Sequence, residues 1–190
     1  MMVPGLLFGK AIIATAKSTI DKIQTIENKV WRYLLGLGGY TTVESLRGEI
    51  GTSMMQSRIM ETMLLYVVDT LSSNFENLKK YMNDEIEKEK GQWIKTINNY
   101  RMELGMPWEV IRNIDRKTFK DRIKEYDTQM WMQGMYQKPT LKWYMMGKQK
   151  IEYENCYRNN SHSAYLAKAK TNSLQLEEHL GRRQPKYNTN

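Results

Sequence analysis

Cations and aromatic rings share the last third of this chain. Residues 136–190 hold Lys138, Lys142, Lys148, Lys150, Arg158, Lys168, Lys170, Arg182, Arg183 and Lys186 against four acids, Glu152, Glu154, Glu177 and Glu178. This stretch supplies +6 of the net +8 carried by all 190 residues. Tyr136, Trp143, Tyr144, Tyr153, Tyr157 and Tyr165 are interleaved with the charges. Cations neutralise phosphates and release their counterions, and flat rings stack on unpaired bases. The chemistry these residue types can do together is to hold RNA or DNA. A sequence pI of about 9.4 fits the same acidic partner, or an anionic membrane face. Each residue also has a plainer reading: the lysines as solvated helix charges, Trp143 as a core residue. Arg182 and Arg183 read equally as phosphate ligands or as a weak nuclear-localisation cluster.

Reaction chemistry is harder to assemble. Metal-dependent polymerases and nucleases need close carboxylates, and no adjacent aspartates occur in the chain. Asp84-Glu85 sits in a charged helical run and reads as surface. His162 and His179 lack partners at zinc spacing. The Gly36-Leu-Gly-Gly run has no Lys-Ser/Thr after it and follows a helix, so it is not a phosphate loop. No Ser or Cys stands in a nucleophile motif. The single Cys156 allows no internal disulfide and no Cys-based zinc site, and it suits a reducing compartment. The expectation is therefore a non-enzyme with no cofactor and no metal.

The start, MMVPGLLFGKAIIATAKS, has an apolar patch, but no Lys or Arg precedes it and Lys10 interrupts it. A secretory signal is not expected. The apolar run Met63–Val68 falls far short of the roughly 20 residues a membrane span needs. The expected location is intracellular, nuclear or cytoplasmic.

The elements that must position these residues read as helices almost throughout. Apolar residues recur at spacings of three and four, and no strand-like alternation persists. Ile13, Ala16, Ile20, Ile23, Ile26, Val30 and Leu34 form one stripe of a long first helix that stops at the glycine-rich 35–39. Thr41 with Glu44 matches a capping box opening a helix near 42–49, ended by Gly51. Ser53 with Gln56 repeats the signature before a helix near 54–72. That helix is apolar on most faces, which predicts the centre of a bundle, with its methionines as core. Leu78 to Leu104 keep helical register across the charged run NDEIEKEKGQ, with a break near Gly91 and an Asp84–Lys88 pair. Gly105 ends this segment. Pro107 suits a first helical turn with Trp108 and Ile111 inward. Asp115 can cap a helix carrying Phe119, Ile123, Tyr126 and Met130, broken at Gly134 and Pro139. Leu141, Tyr144, Met145 and Ile151 share one further face. A loop near 155–162 precedes a last helix, opened by Ser161 or Ser163 and running through Leu176, and a mobile tail is expected after it.

The expected class is all-α: an irregular helical bundle over 1–105 and a looser, basic, aromatic-rich helical region over 106–190. The charge divides in the same sense, with +1 over 1–100 and +7 over 101–190.

Three blocks in order carry a family resemblance. They are PGLLFG (4–9) followed by IDKIQTIENKVWRYLLGLGGYTTVESLRGEIG (20–51), RIMETMLLYVVDTL (58–71), and YRNNSHSAYLAKAKTNSLQLEEHLG (157–181). Their order and spacing resemble the C-terminal part of the reverse transcriptase polyprotein of non-LTR (LINE-type, jockey-like) retrotransposons. The likeness is strongest at 4–71 and 157–181 and weak at 75–135. Phe8 stands where that family often has Tyr, and Lys170 where Arg is common before Thr171. The resemblance implies that residues 1–105 correspond to polymerase thumb and connection. Lys22, Lys29 and Arg32 could then face the primer–template backbone, where Lys and Arg contact phosphates. It also implies a palm with an Asp-Asp metal site upstream of Met1 and a zinc knuckle beyond Asn190. The chain would be a non-catalytic, nucleic-acid-binding fragment that positions RNA template or target DNA, with the palm of the same polyprotein as partner.

Two other readings compete. A co-opted helical protein-interaction module would show an exposed apolar patch around the methionine-rich helix and would self-associate. A peripheral membrane binder would use the first helix. The polar face of that helix mixes Asp21 and Glu27 with Lys17, Lys22 and Lys29, which ranks this reading last and leaves no membrane partner expected.

Overall fold

The computed structural model describes residues 17–153 and 163–171. Expectations for Ile13, Ala16, the loop with Cys156, Arg158 and His162, the end of the last helix at Leu176, His179, Arg182, Arg183 and the tail lie outside the described residues. The class is all-α. Nine α-helices occur among the described residues: α1 (Lys17–Leu34), α2 (Val43–Ile50), α3 (Met55–Leu71), α4 (Glu76–Lys88), α5 (Gln92–Glu103), α6 (Trp108–Asn113), α7 (Arg116–Tyr136), α8 (Lys142–Gly147) and α9 (Ser163–Lys170). A 3₁₀ turn, Pro139–Leu141, leads into α8. The only extended pairing among these residues is an isolated antiparallel bridge between Ile50 and Tyr153.

The chain divides into two compact units, one of residues 1–26 and 53–131 and the other of 27–52 and 132–190. The division lies elsewhere than 105/106. Helix α6 and most of α7 belong with the bundle, and α2 belongs with the basic region.

The first unit is built around α3. Met55, Ile59, Met60, Met63 and Leu64 are all but fully buried. They share a core with Ile20 of α1, Met82 and Ile86 of α4, Ile94 and Ile97 of α5, Ile111 of α6, and Phe119 and Ile123 of α7. A helix apolar nearly all round can satisfy its surface only in this central position. Its N-terminus departs from the expected cap. Ser53 does not cap it, and Met54 takes that position without a side-chain hydrogen bond. The first-turn N–H groups of a helix need acceptors, and here they come from far along the chain. Met54 N–H donates to Asp127 Oδ1 at 3.3 Å, and Met55 N–H donates to Gln24 Oε1 at 2.6 Å. Ser57 Oγ donates to the same Asp127 oxygen at 2.7 Å.

Elsewhere the local chemistry follows the pattern more closely. The charged run breaks between α4 and α5 at Glu89, with φ 47°, and Gly91 caps α5. Asp84 and Lys88 pair at 3.9 Å. Asp115 Oδ1 accepts from the N–H groups of Lys117 and Thr118, both at 3.0 Å, and so caps α7. Gly134 does not break α7, which continues to Tyr136. The glycine is there for close approach: a Cβ on it would stand 3.0 Å from Glu44 Oε1. The stripe on α1 is only partly buried. Ile20 is inside, but Ile26 is 53% and Leu34 62% exposed.

The second unit has a smaller core of Leu37, Leu46, Ile50 and Ala167, flanked by Trp31 and Leu35. The cap of α2 is Thr42, one residue later than expected, and its hydroxyl accepts from Ser45 N–H. Thr41 is buried, and its carbonyl accepts from Arg32 Nη2 at 2.7 Å. Gly51, with φ 71°, ends α2 in the left-handed region.

Candidate nucleic-acid interface

The basic residues of the second unit sort into two groups once their partners are seen. Lys138 is spoken for, because its ammonium pairs with Glu44. Lys170 Nζ lies 3.7 Å from Glu49 Oε2. The Arg32 guanidinium is held on the Thr41 carbonyl. Lys148 corrects the surface reading most sharply. It is only 6% exposed, and its ammonium donates to the Glu152 carbonyl at 2.9 Å. It supports the fold from inside instead of meeting a phosphate in solvent.

The other group faces water. Lys29, Lys142 and Lys150 are exposed, as is Lys22 in the first unit. Lys168 is half-buried, with Nζ 5.8 Å from the centre of the Tyr165 ring. Trp143 is 77% exposed, so it is not a core residue. Arg158, Arg182 and Arg183 lie outside the described residues.

Helix α8 explains how Trp143 comes to the surface. Pro139 starts the 3₁₀ turn, whose last residue, Leu141, is buried. One helical turn then alternates inward and outward positions. Tyr144 faces in and is buried. Its hydroxyl donates to Glu49 Oε1 at 2.8 Å and lies 3.1 Å from the Ser45 carbonyl oxygen. Lys142 and Trp143, directly before it, therefore face out. Beside them is a cavity of about 280 Å³ whose lining includes Glu49, Trp143, Tyr144, Lys148, Ala169 and Lys170. Glu49 is 1% exposed. A carboxylate in such a place must be paired and hydrogen-bonded, and Tyr144 and Lys170 do this.

Sequence reasoning put Glu44 in a cap and Tyr144 among the interleaved aromatics, and it missed that Glu44 answers Lys138 and that Glu49 answers Tyr144. Glu44 lies 94 residues from Lys138, and Glu49 lies 95 from Tyr144. No local pattern joins positions so far apart. The presence of two acids on an eight-residue helix was the only available signal.

Among the described residues no group of three or more His, Cys, Asp or Glu could hold a metal ion, and no helix is long and apolar enough to cross a membrane. No family model, curated protein or solved structure matches this chain.

Proposed function

We propose that this chain is a non-catalytic, nucleic-acid-binding segment of a non-LTR retrotransposon reverse transcriptase, and that it holds or positions RNA template or target DNA. One observation carries the binding reading: Trp143, 77% exposed, stands beside the solvent-facing Lys142 on α8. A ring for a base and a cation for a phosphate are thus offered from one helical turn. The assignment to a reverse transcriptase rests on the ordered blocks at 4–9, 20–51, 58–71 and 157–181.

The test is fluorescence anisotropy of labelled RNA and DNA across salt. Affinity should fall steeply between about 50 and 200 mM salt, because each neutralised phosphate releases counterions. An affinity that barely changes would overturn phosphate contact. The coding sequence on either side tests the polyprotein assignment separately. An Asp-Asp palm upstream and a Cys/His knuckle downstream are expected, and their absence would leave only the binding reading. A protein-interaction module built on the methionine-rich helix is not favoured, because Met55, Met60 and Met63 are core residues of the first unit.

A further inference from the structure

We infer that the cavity beside Trp143 receives an unpaired nucleobase, so that the second unit prefers single-stranded nucleic acid or unpaired loops to duplex. This rests on the nucleic-acid reading above and specifies its ligand.

Trp143 differs from the other four tryptophans. Trp131 is fully buried, and Trp31, Trp93 and Trp108 are partly buried. Several other rings are occupied by neighbours. Arg101 lies over Trp108, Tyr66 packs edge-on to Trp93, and Lys168 lies over Tyr165. Among the described residues no ring or cation packs on Trp143 in this way. Its face is open for stacking, which is worth about 1–3 kcal/mol per base.

The ring also borders a recess, not a flat face. Its lining also includes Ala169 of α9 and the buried Tyr144, a small and a flat side chain that suit a planar ring. A base inside a duplex is stacked above and below and cannot enter such a recess without flipping, which costs a few kcal/mol. An unpaired base enters without that cost. Lys142, exposed directly before Trp143, is the cation that meets a phosphate, while the Glu49 carboxylate is answered by Tyr144 and Lys170.

The experiment uses the full chain, a labelled homopyrimidine oligonucleotide, and a blunt duplex containing the same strand, at one salt concentration. The wild type should bind the single strand more tightly, and binding should quench tryptophan fluorescence. Trp143→Ala should weaken single-strand binding about tenfold and leave duplex binding unchanged. Trp143→Phe keeps a stackable ring, so it should retain most of the affinity while losing the quenching. Circular dichroism of both variants should match the wild type, since the side chain is outside the core. Binding of both forms that Trp143→Ala leaves intact would overturn the base recess and spare the nucleic-acid reading. Equal losses on single strand and duplex would also overturn it. Binding to neither form by the wild type would overturn both.

Discussion

Tyr126 shows how one side chain ties stability to pH. It lies on α7, and its hydroxyl donates to Glu103 Oε2 at 3.1 Å. Partial burial first, and then the Glu103 carboxylate beside it, push the phenol up from 10.0 to about 12. The neutral form is thus the one the fold favours. A group whose folded pKa is raised contributes stability that is complete below its unfolded pKa and is lost as pH rises toward the folded one. The window here runs from about 10 to about 12. Tyr126→Phe keeps the ring and removes the titrating proton. At neutral pH it should cost at most about 1 kcal/mol, the worth of one hydrogen bond. Above pH 10 the two proteins should converge, because only the wild type gains a phenolate beside Glu103 as pH climbs. Urea midpoints of both proteins across that window test this, and parallel curves would show that Tyr126 does not titrate there. Tyr100 is also raised by burial, but it is common to both proteins and cancels in the difference.

At the scale of elements, Gly51 joins the fold to the recess. Its φ of 71° is left-handed, and an added Cβ would stand 2.3 Å from Tyr153 N and 2.8 Å from the Glu152 carbonyl carbon. That carbonyl accepts the ammonium of Lys148. Gly36, in the same unit, also has a left-handed φ of 62°, but its added Cβ would meet only the Ala164 side chain, at 3.2 Å. Both Ala variants incur left-handed strain of about 1–2 kcal/mol. Gly51→Ala must also displace backbone, so it should lower the thermal midpoint clearly more than Gly36→Ala. Equal losses would show that the segment at 152–153 yields freely. The turn at Gly51 was legible in the sequence, since a glycine after a short amphipathic helix is a local signal. The centre of the bundle was legible too, because α3 is apolar on most of its faces. Caps were legible only where their partners are local. Asp115 holds N–H groups two and three residues on, whereas Met54 is met by Asp127, 73 residues away. Gly134 misled because a glycine that admits Glu44 looks, in sequence, like one that ends a helix.

Charge has to be judged on the whole molecule. The surplus of +8 and its concentration after residue 136 were legible in the sequence. Which cations remain available to a ligand was not. Lys138 and Lys170 are answered by acids on α2, and Lys148 is interior, so three apparent phosphate ligands have structural partners. Lys29, Lys142, Lys150 and Lys168 remain solvent-facing or half-exposed in the second unit, the last three of them after residue 136. Two sets of three Lys→Gln substitutions separate a local interface from general attraction. The first set is Lys142, Lys150 and Lys168. The second is Lys79, Lys88 and Lys120 of the first unit, which pair on the surface with Glu76, Asp84 and Glu61. Each set lowers the net charge of +8 by the same amount, so long-range attraction falls equally in both. Surface pairs are worth little, so both variants should fold. If phosphates are bound at the second unit, the first set should flatten the single-strand salt slope by roughly 2, about 0.7 per contact removed. The second set should leave the slope within error and lower affinity only slightly. Equal slopes for the two variants would mean that net charge, and not these lysines, accounts for any binding.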